Sequence, residues 1–80
     1  MSDYQKTVLS AIAAILTTLH ETGGGPESSC YLALGADMAL WEVVKAILAG
    51  KGWVTFRNHW AELTDAGRVK AEQINAAIAR

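Results

Sequence analysis

Apolar residues recur at intervals of three and four along the first part of the chain, a spacing that predicts a helix with one buried face. This helix is predicted from about Asp3 to His20, and Ser2 with Gln5 fits an S-x-x-Q capping box at its start. The predicted core stripe is Tyr4, Val8, Ile12, Ile15, Leu16 and Leu19. Three glycines and Pro26 then end the helix.

Two more helices are predicted after this break. The first is short, from about Pro26 to Leu34, and Gly35 is suited to end it in a left-handed conformation. Asp37 is a natural N-cap for the next helix, from about Met38 to Ala49. Its predicted core stripe is Leu40, Val43, Val44, Ile47 and Leu48. A gap of a few residues around a glycine is typical of a helix-turn-helix.

The hydrophobic period then changes from helical to alternating, which predicts a β-hairpin. Asn58–His59 fits a two-residue loop, since asparagine accepts a positive φ readily and histidine moderately. This loop pairs Arg57 with Trp60, Phe56 with Ala61 and Val54 with Leu63. The inner face is then Val54, Phe56, Ala61 and Leu63, and the outer face Trp53, Thr55, Arg57, Trp60 and Glu62.

A last helix is predicted to begin at a Thr64 cap and to reach almost to Arg80. Its predicted inward residues are Val69, Ile74, Ala77 and Ile78. The predicted fold is therefore mainly helical with a small β-hairpin, in the order helix-helix-helix-strand-strand-helix. Because eighty residues support one hydrophobic core, residues 1–80 are predicted to form a single domain.

This order of elements resembles the winged helix-turn-helix fold of bacterial and archaeal transcription regulators. The residues that carry the resemblance are Val43–Leu48 followed by Gly52–Val54, and Glu62–Arg68 with its leucine-threonine-x-x-glycine step. The resemblance covers nearly the whole chain and implies operator binding by the third helix, with phosphate contacts from the hairpin, or wing. We therefore expect a DNA-associated transcriptional regulator or accessory factor. Its candidate contacts to double-stranded DNA are Met38, Glu42, Lys45, Lys51, Arg57, Asn58 and His59.

The charge distribution favours a second interpretation. The net charge of −1 and the pI of about 6.0 exclude a strongly basic nucleic-acid tail. The outward face of the third helix offers Lys45 against Glu42 and Asp37, a poor complement to phosphates. The two halves of the chain differ in the opposite sense and partly favour DNA: residues 1–40 carry one lysine and four acids, a charge of −3, whereas residues 41–80, which include the hairpin, carry six basic residues and four acids, a charge of +2.

The alternative to DNA binding is a winged helix used for contact with a protein partner. Tryptophan is enriched at binding hot spots, so the candidate aromatic surface is Trp41, Trp53 and Trp60. A third interpretation is a small-ligand sensor with an aromatic cleft between subunits.

Self-association is indicated by the absence of charge from residues 7–19. A homodimer is the commonest closed assembly, and small residues allow helices to approach closely. The candidate interface is Ser10, Ala13, Ala14, Thr17, Ile74, Ala77 and Ile78. The uncharged stretch is too short to span a membrane, and Asp3 with Lys6 cancels the positive charge that a secretory signal needs before it.

We expect neither an enzyme, nor a metal site, nor a bound cofactor. His20, Cys30 and His59 lack the paired spacing of zinc ligands. The stretch from Gly23 to Pro26 lacks the Lys-Ser/Thr ending of a phosphate loop and predicts a flexible connection. A single cysteine favours the reducing cytoplasm over an oxidising compartment.

Overall fold

The computed structural model describes residues 2–78 and confirms a mainly helical fold with a small antiparallel sheet. In chain order, the elements are α1 (Asp3–Thr22), β1 (Gly25–Pro26), α2 (Glu27–Ala33), α3 (Met38–Gly50), β2 (Val54–Arg57), β3 (Trp60–Leu63) and α4 (Asp65–Ile78). The predicted extension of the last helix toward Arg80 lies outside the described residues. Among residues 2–78, no helix combines the length and the apolar character needed to cross a membrane.

The predicted capping box opens α1. The Ser2 hydroxyl accepts a hydrogen bond from the Gln5 amide at 3.2 Å, and the Gln5 side chain accepts one from the Ser2 amide at 3.0 Å. These two bonds satisfy donors that the first turn of a helix leaves free. The helix ends at Thr22, two residues beyond the predicted end, where Gly23 adopts a left-handed φ of 80°.

Side-chain caps also open α3 and α4. The Asp37 carboxylate accepts a hydrogen bond from the Leu40 amide at 3.0 Å, as the sequence predicts. The Thr64 hydroxyl accepts from the Gly67 amide at 3.0 Å and donates to the Gly52 carbonyl. Thr64 therefore joins the start of α4 to the turn that follows α3.

The hairpin has the predicted register. Its pairs are Val54 with Leu63, Thr55 with Glu62, Phe56 with Ala61 and Arg57 with Trp60. Asn58 and His59 adopt φ angles of 49° and 62°, and two consecutive positive φ values are the mark of a type I′ turn. Trp53, which was predicted on the outer face, precedes β2 and is half-buried against the core.

A third strand, β1, extends the hairpin into a sheet of order β1-β3-β2. Gly25–Pro26 pairs antiparallel with Trp60 and Ala61, and the Glu27 amide donates to the His59 carbonyl at 2.7 Å. The prediction of a flexible connection here is wrong, because backbone pairing with a segment more than thirty residues away orders it. Two residues are too few to show the alternation that reveals a strand.

The core lies where α1, α3, α4 and the sheet meet. The buried residues are Val8, Ala11, Ile12, Ile15, Leu16, Leu19, Cys30, Trp41, Val44, Leu48, Val54, Ala61 and Ala71. Two predictions are wrong: Tyr4, predicted in the core stripe, is exposed, and Trp41, predicted on the surface, is buried. Leu40 is partly buried and packs against the core. Trp41 turns inward because its ring packs edge-on against Phe56, with centroids 5.8 Å apart.

The inward face of α4 also differs from the prediction. Three residues predicted to face inward are exposed instead: Val69, Ala77 and Ile78. Gly67 and Ala71 are buried, and a Cβ on Gly67 would lie 1.9 Å from the Trp53 carbonyl oxygen. The small side chains therefore face the core, because only they allow α4 to approach this backbone.

Candidate interaction site

An open cleft of about 490 Å³ lies between the start of α2, the first half of α3 and the tip of the hairpin. Its lining residues are Pro26, Glu27, Ser28, Tyr31, Met38, Trp41, Glu42, Lys45 and His59. Below, we call it the α2–α3 cleft. Four of the seven predicted DNA-contact residues lie in it: Met38, Glu42, Lys45 and His59. The structure therefore brings together residues from the two elements that the resemblance singles out.

The other three predicted DNA-contact residues lie elsewhere. Arg57 and Asn58 are exposed at the hairpin tip beside the cleft. Lys51 follows the last residue of α3 and lines a different depression, together with Trp53 and Lys70. The seven predicted DNA-contact residues therefore do not form one continuous surface. Lys45 lines the α2–α3 cleft, whereas Lys51 lines a separate depression.

Lys45 is engaged by two neighbouring side chains, although its own side chain is 40% exposed. Its ammonium pairs with the Glu27 carboxylate and lies 5.2 Å from the centre of the Phe56 ring. The Glu27 side chain is 18% exposed, so the carboxylate of the pair is largely shielded from water. A charge-assisted bond and a cation–π contact together occupy the one lysine of the cleft. Lys45 is therefore a poor candidate for a phosphate contact, which would have to replace both.

The α2–α3 cleft carries a net negative charge. Its lining includes the carboxylates of Glu27 and Glu42 against one ammonium, that of Lys45, which is −1 with histidine counted as neutral. Asp37 adds an exposed carboxylate at the start of α3. Such a surface repels phosphate and attracts a cationic group.

The three tryptophans occupy three separate environments, so they do not form the predicted aromatic surface. Trp41 is 4% exposed and belongs to the core at the floor of the α2–α3 cleft, which corrects its assignment to the surface. Trp60 is about half exposed, and a Cβ on Gly24 would lie 3.1 Å from its indole nitrogen, so the ring covers the entry to β1. Trp53 lies beyond the end of α3 under Lys70, whose ammonium is 5.5 Å from the ring centre.

The predicted dimer residues are also divided. Exposed members of the set are Ser10, Ala14, Ala77 and Ile78. Ala13 and Thr17 are half-buried, and the Thr17 hydroxyl donates to the Ala13 carbonyl at 2.9 Å. Ile74 packs against the core and lines a depression together with Ala13.

A second surface runs along α1; it includes Ala13 and Ile74 of the predicted dimer set, but sequence reasoning missed its other residues as an interaction surface. One part has a volume of about 320 Å³ and is lined by Tyr4, Gln5, Val8, Leu9, Val43 and Ile47. The adjoining part has a volume of about 390 Å³ and is lined by Val8, Leu9, Ile12, Ala13, Ile47, Lys51, Trp53, Lys70 and Ile74. We call the two parts together the α1 groove, with a Tyr4 end and a lysine end. Its signal in the sequence is Leu9, a large apolar residue outside the core stripe of α1.

Cys30 faces a small depression of about 150 Å³ between α1, β1 and α2. Burial, and to a smaller extent the negative charge of Glu27, raises the pKa of the Cys30 thiol. A raised pKa and burial are the opposite of what a nucleophilic cysteine needs. Within residues 2–78, no three His, Cys, Asp or Glu side chains lie close enough to hold a metal ion.

Comparison with protein-family models, with curated proteins and with solved structures gives no match for this chain. The fold and the two surfaces therefore define it at the level of class: a small, mainly helical domain with a three-stranded antiparallel sheet, an acidic cleft and an apolar groove.

Proposed function

We propose that this chain is a protein-interaction module that binds a segment of a partner protein in the α2–α3 cleft. The observation that carries the proposal is the pairing of Lys45 with Glu27. Lys45 is the one basic residue of α3, so this pairing leaves α3 without an unpaired cation for a phosphate. A nucleic acid at this position would meet uncompensated carboxylate charge, at a cost in affinity. A peptide with apolar and basic side chains has the complementary chemistry.

The cleft suggests how such a segment is held. Met38 is about half exposed, and Tyr31 and Pro26 add apolar surface beside it, which suits an aliphatic or aromatic anchor. The exposed Glu42 carboxylate on the rim is placed to receive a lysine or arginine. We therefore propose a bound segment with an apolar anchor next to a basic residue.

DNA association is the second candidate, and one observation favours it. Arg57 and Asn58 are exposed at the hairpin tip, and Arg57 forms no salt bridge within the part of the chain that the structure describes. On this proposal the hairpin contacts phosphates, and α3 contributes no sequence recognition because its face lacks Arg, Asn and Gln. Regulation of transcription follows only on this second candidate.

We further propose that the chain acts as a homodimer in the cytoplasm. Two large apolar side chains of α1, Tyr4 and Leu9, are more than half exposed and support self-association. A buried, unpaired Cys30 agrees with a reducing compartment.

The test is selection of binders to the full chain from a random twelve-residue peptide library. We expect enriched peptides to combine an apolar residue with an adjacent lysine or arginine, and to shift the NMR signals of Met38 and Glu42. Glu42→Lys should abolish binding by repelling the basic residue. Glu62→Lys is the matched control, because Glu62 is exposed on β3 and lies outside the cleft.

A DNA-binding measurement distinguishes peptide binding from DNA association. Anisotropy of a mixed-sequence duplex is measured between about 50 and 200 mM salt, the range in which phosphate contacts weaken steeply. Duplex binding that weakens on Arg57→Ala, with no enriched peptide, would assign the chain to the DNA class. Enriched peptides that bind Glu42→Lys as well as the unmodified chain would refute the cleft as the binding site.

A further inference from the structure

The α1 groove is an apolar surface that is open to solvent. Tyr4 is 58% exposed and Leu9 is 52% exposed, whereas Val8 and Ile12 beside them are buried and form its floor. Val8, Leu9 and Ile47 line both parts, so the Tyr4 end and the lysine end are continuous. Contiguous exposed apolar surface of this kind marks an interaction surface.

The charged side chains that line the groove within residues 2–78 are Lys51 and Lys70, both at its lysine end. The Lys70 ammonium lies 5.5 Å from the centre of the Trp53 ring, a contact that still leaves donors free for an anion. Lys6 is exposed and precedes Leu9 by three residues, so the two are neighbours on the surface of α1. None of these three lysines forms a salt bridge in the described part of the chain.

The carboxylates of the three helices that form the groove lie away from it. They are Asp3, Glu21, Glu42, Asp65 and Glu72. The two on α1 are each rotated by about 120° from Leu9 around the helix axis. Glu42 lines the α2–α3 cleft instead, and the two on α4 lie 3.2 Å and 3.8 Å from a basic side chain. An anionic group at the groove is therefore attracted by the lysines without an opposing carboxylate.

We propose that the α1 groove binds an amphipathic helix of a partner protein, whose apolar stripe is flanked by acidic residues. From Tyr4 to Ala13 the groove follows α1 for about 13.5 Å, which accommodates apolar anchors at positions i, i+4 and i+7 of a docked helix. The flanking carboxylates pair with Lys6, Lys51 and Lys70. This site goes beyond the α2–α3 cleft, since the two surfaces share no lining residue and attract opposite charges.

The same observations disfavour two other occupants. The homodimer proposed above uses Tyr4 and Leu9, so a second copy and an acidic helix compete for them. A copy that covers the groove with the same face brings three more lysines to it, and like charges repel. A flat anionic membrane would satisfy the lysines but would not reach Val8 and Ile12 on the floor.

Selection from a library of sixteen-residue helical peptides tests the proposal on the full chain. Each peptide carries a leucine stripe, and the flanking positions vary among Glu, Gln and Lys. We expect enrichment of Glu at these positions. In anisotropy measurements, Leu9→Glu should weaken binding of the enriched peptide by at least about 100-fold, because it places a carboxylate in the apolar contact. Lys51→Glu should weaken it by about tenfold, and a peptide with Lys for Glu should bind this variant better than it binds the unmodified chain.

Two controls match these variants in chemistry but lie outside the groove. Leu32→Glu changes a side chain of α2 that is 64% exposed, and Arg57→Glu reverses a charge at the hairpin tip. Both should bind the peptide like the unmodified chain, as should Glu42→Lys, which separates this site from the α2–α3 cleft. Far-UV circular dichroism verifies that each variant is folded.

Three results would overturn the proposal. The first is no enrichment of Glu, or a Leu9→Glu variant that binds the peptide undiminished. The second is a dimer in sedimentation equilibrium that Leu9→Glu dissociates while no peptide binds, which would assign the groove to a second copy. The third is binding to phosphatidylglycerol vesicles that depends on Leu9 in the absence of peptide binding, which would assign it to a lipid surface.

Discussion

The α carbon of Gly67 lies against the main-chain carbonyl of Trp53, so closely that an added Cβ would be 1.9 Å from the oxygen. The same carbonyl accepts a hydrogen bond from the Thr64 amide at 3.0 Å. The first turn of α4 is thus fixed to the segment that leads into β2. We predict that Gly67→Ala destabilises the protein by about 1–3 kcal/mol or more, since overpacking outweighs the better helix propensity of alanine.

Urea unfolding of Gly67→Ala beside Gly50→Ala checks this prediction. Gly50 is the last residue of α3, and a Cβ there would meet no atom within 4 Å among the described residues. Gly50→Ala should be neutral or stabilising by up to about 1 kcal/mol. Equal free energies of unfolding for the two variants would show that α4 does not approach Trp53 closely.

The pairing of Lys45 with Glu27 should be measurable as a coupling free energy. A double-mutant cycle with Lys45→Met and Glu27→Gln should give about 0.5–1.5 kcal/mol, because Glu27 is largely shielded while Lys45 remains partly exposed. The control is Arg68–Asp65, an exposed pair on α4 at 3.2 Å, whose coupling should stay below about 0.5 kcal/mol. A coupling free energy for Lys45–Glu27 as small as that of the control would show that Lys45 is available to contact phosphate.

Cys30 should make stability decline in alkaline solution. Its folded-state pKa is raised, chiefly by burial, so above about pH 8.5 the unfolded chain loses the thiol proton while the folded chain keeps it. The unfolded state then binds fewer protons, and the free energy of unfolding falls as pH rises through this range. Urea unfolding from pH 7 to 10 should show a smaller decline for Cys30→Ala. An identical decline in both proteins would contradict the assignment.

The hairpin turn should respond in opposite directions to two substitutions at one position. His59 has a φ of 62°, which glycine adopts without cost and a β-branched residue adopts poorly. His59→Gly should stabilise the protein by about 0.5–1 kcal/mol, and His59→Val should destabilise it by about 1–3 kcal/mol. Thermal unfolding of the two variants is the measurement. Equal melting temperatures would argue against a left-handed residue in the turn.

Elements set by local chemistry were predictable from the sequence. Ser2 with Gln5 and Asp37 gave two helix starts, and the two-residue loop at Asn58 fixed the hairpin register. The sequence did not determine whether Leu40 or Trp41 is buried in the core, because both residues fit three-and-four spacing with the other apolar residues of α3. The ring of Phe56, fifteen residues beyond Trp41, decides between them.

The candidate site was predictable in position more than in chemistry. Helix-turn-helix spacing placed Met38, Glu42 and Lys45 on one outward face, and the structure puts them in one cleft. The carboxylate that occupies Lys45 lies eighteen residues earlier, at Glu27, and no periodic pattern links positions so far apart. Leu9 was overlooked for a similar reason: its importance depends on Val43 and Ile47, which approach it only in the folded chain.

The main-chain bond from Glu27 to His59, together with the short strand β1, joins two walls of the α2–α3 cleft into one body. The conformational entropy of ordering those walls is lost when the chain folds, before any partner arrives. On the proposed function, a partner segment therefore docks against a preorganised surface. Its association rate should be set by diffusion and by the negative charge of the cleft, with no slow rearrangement phase in stopped-flow traces.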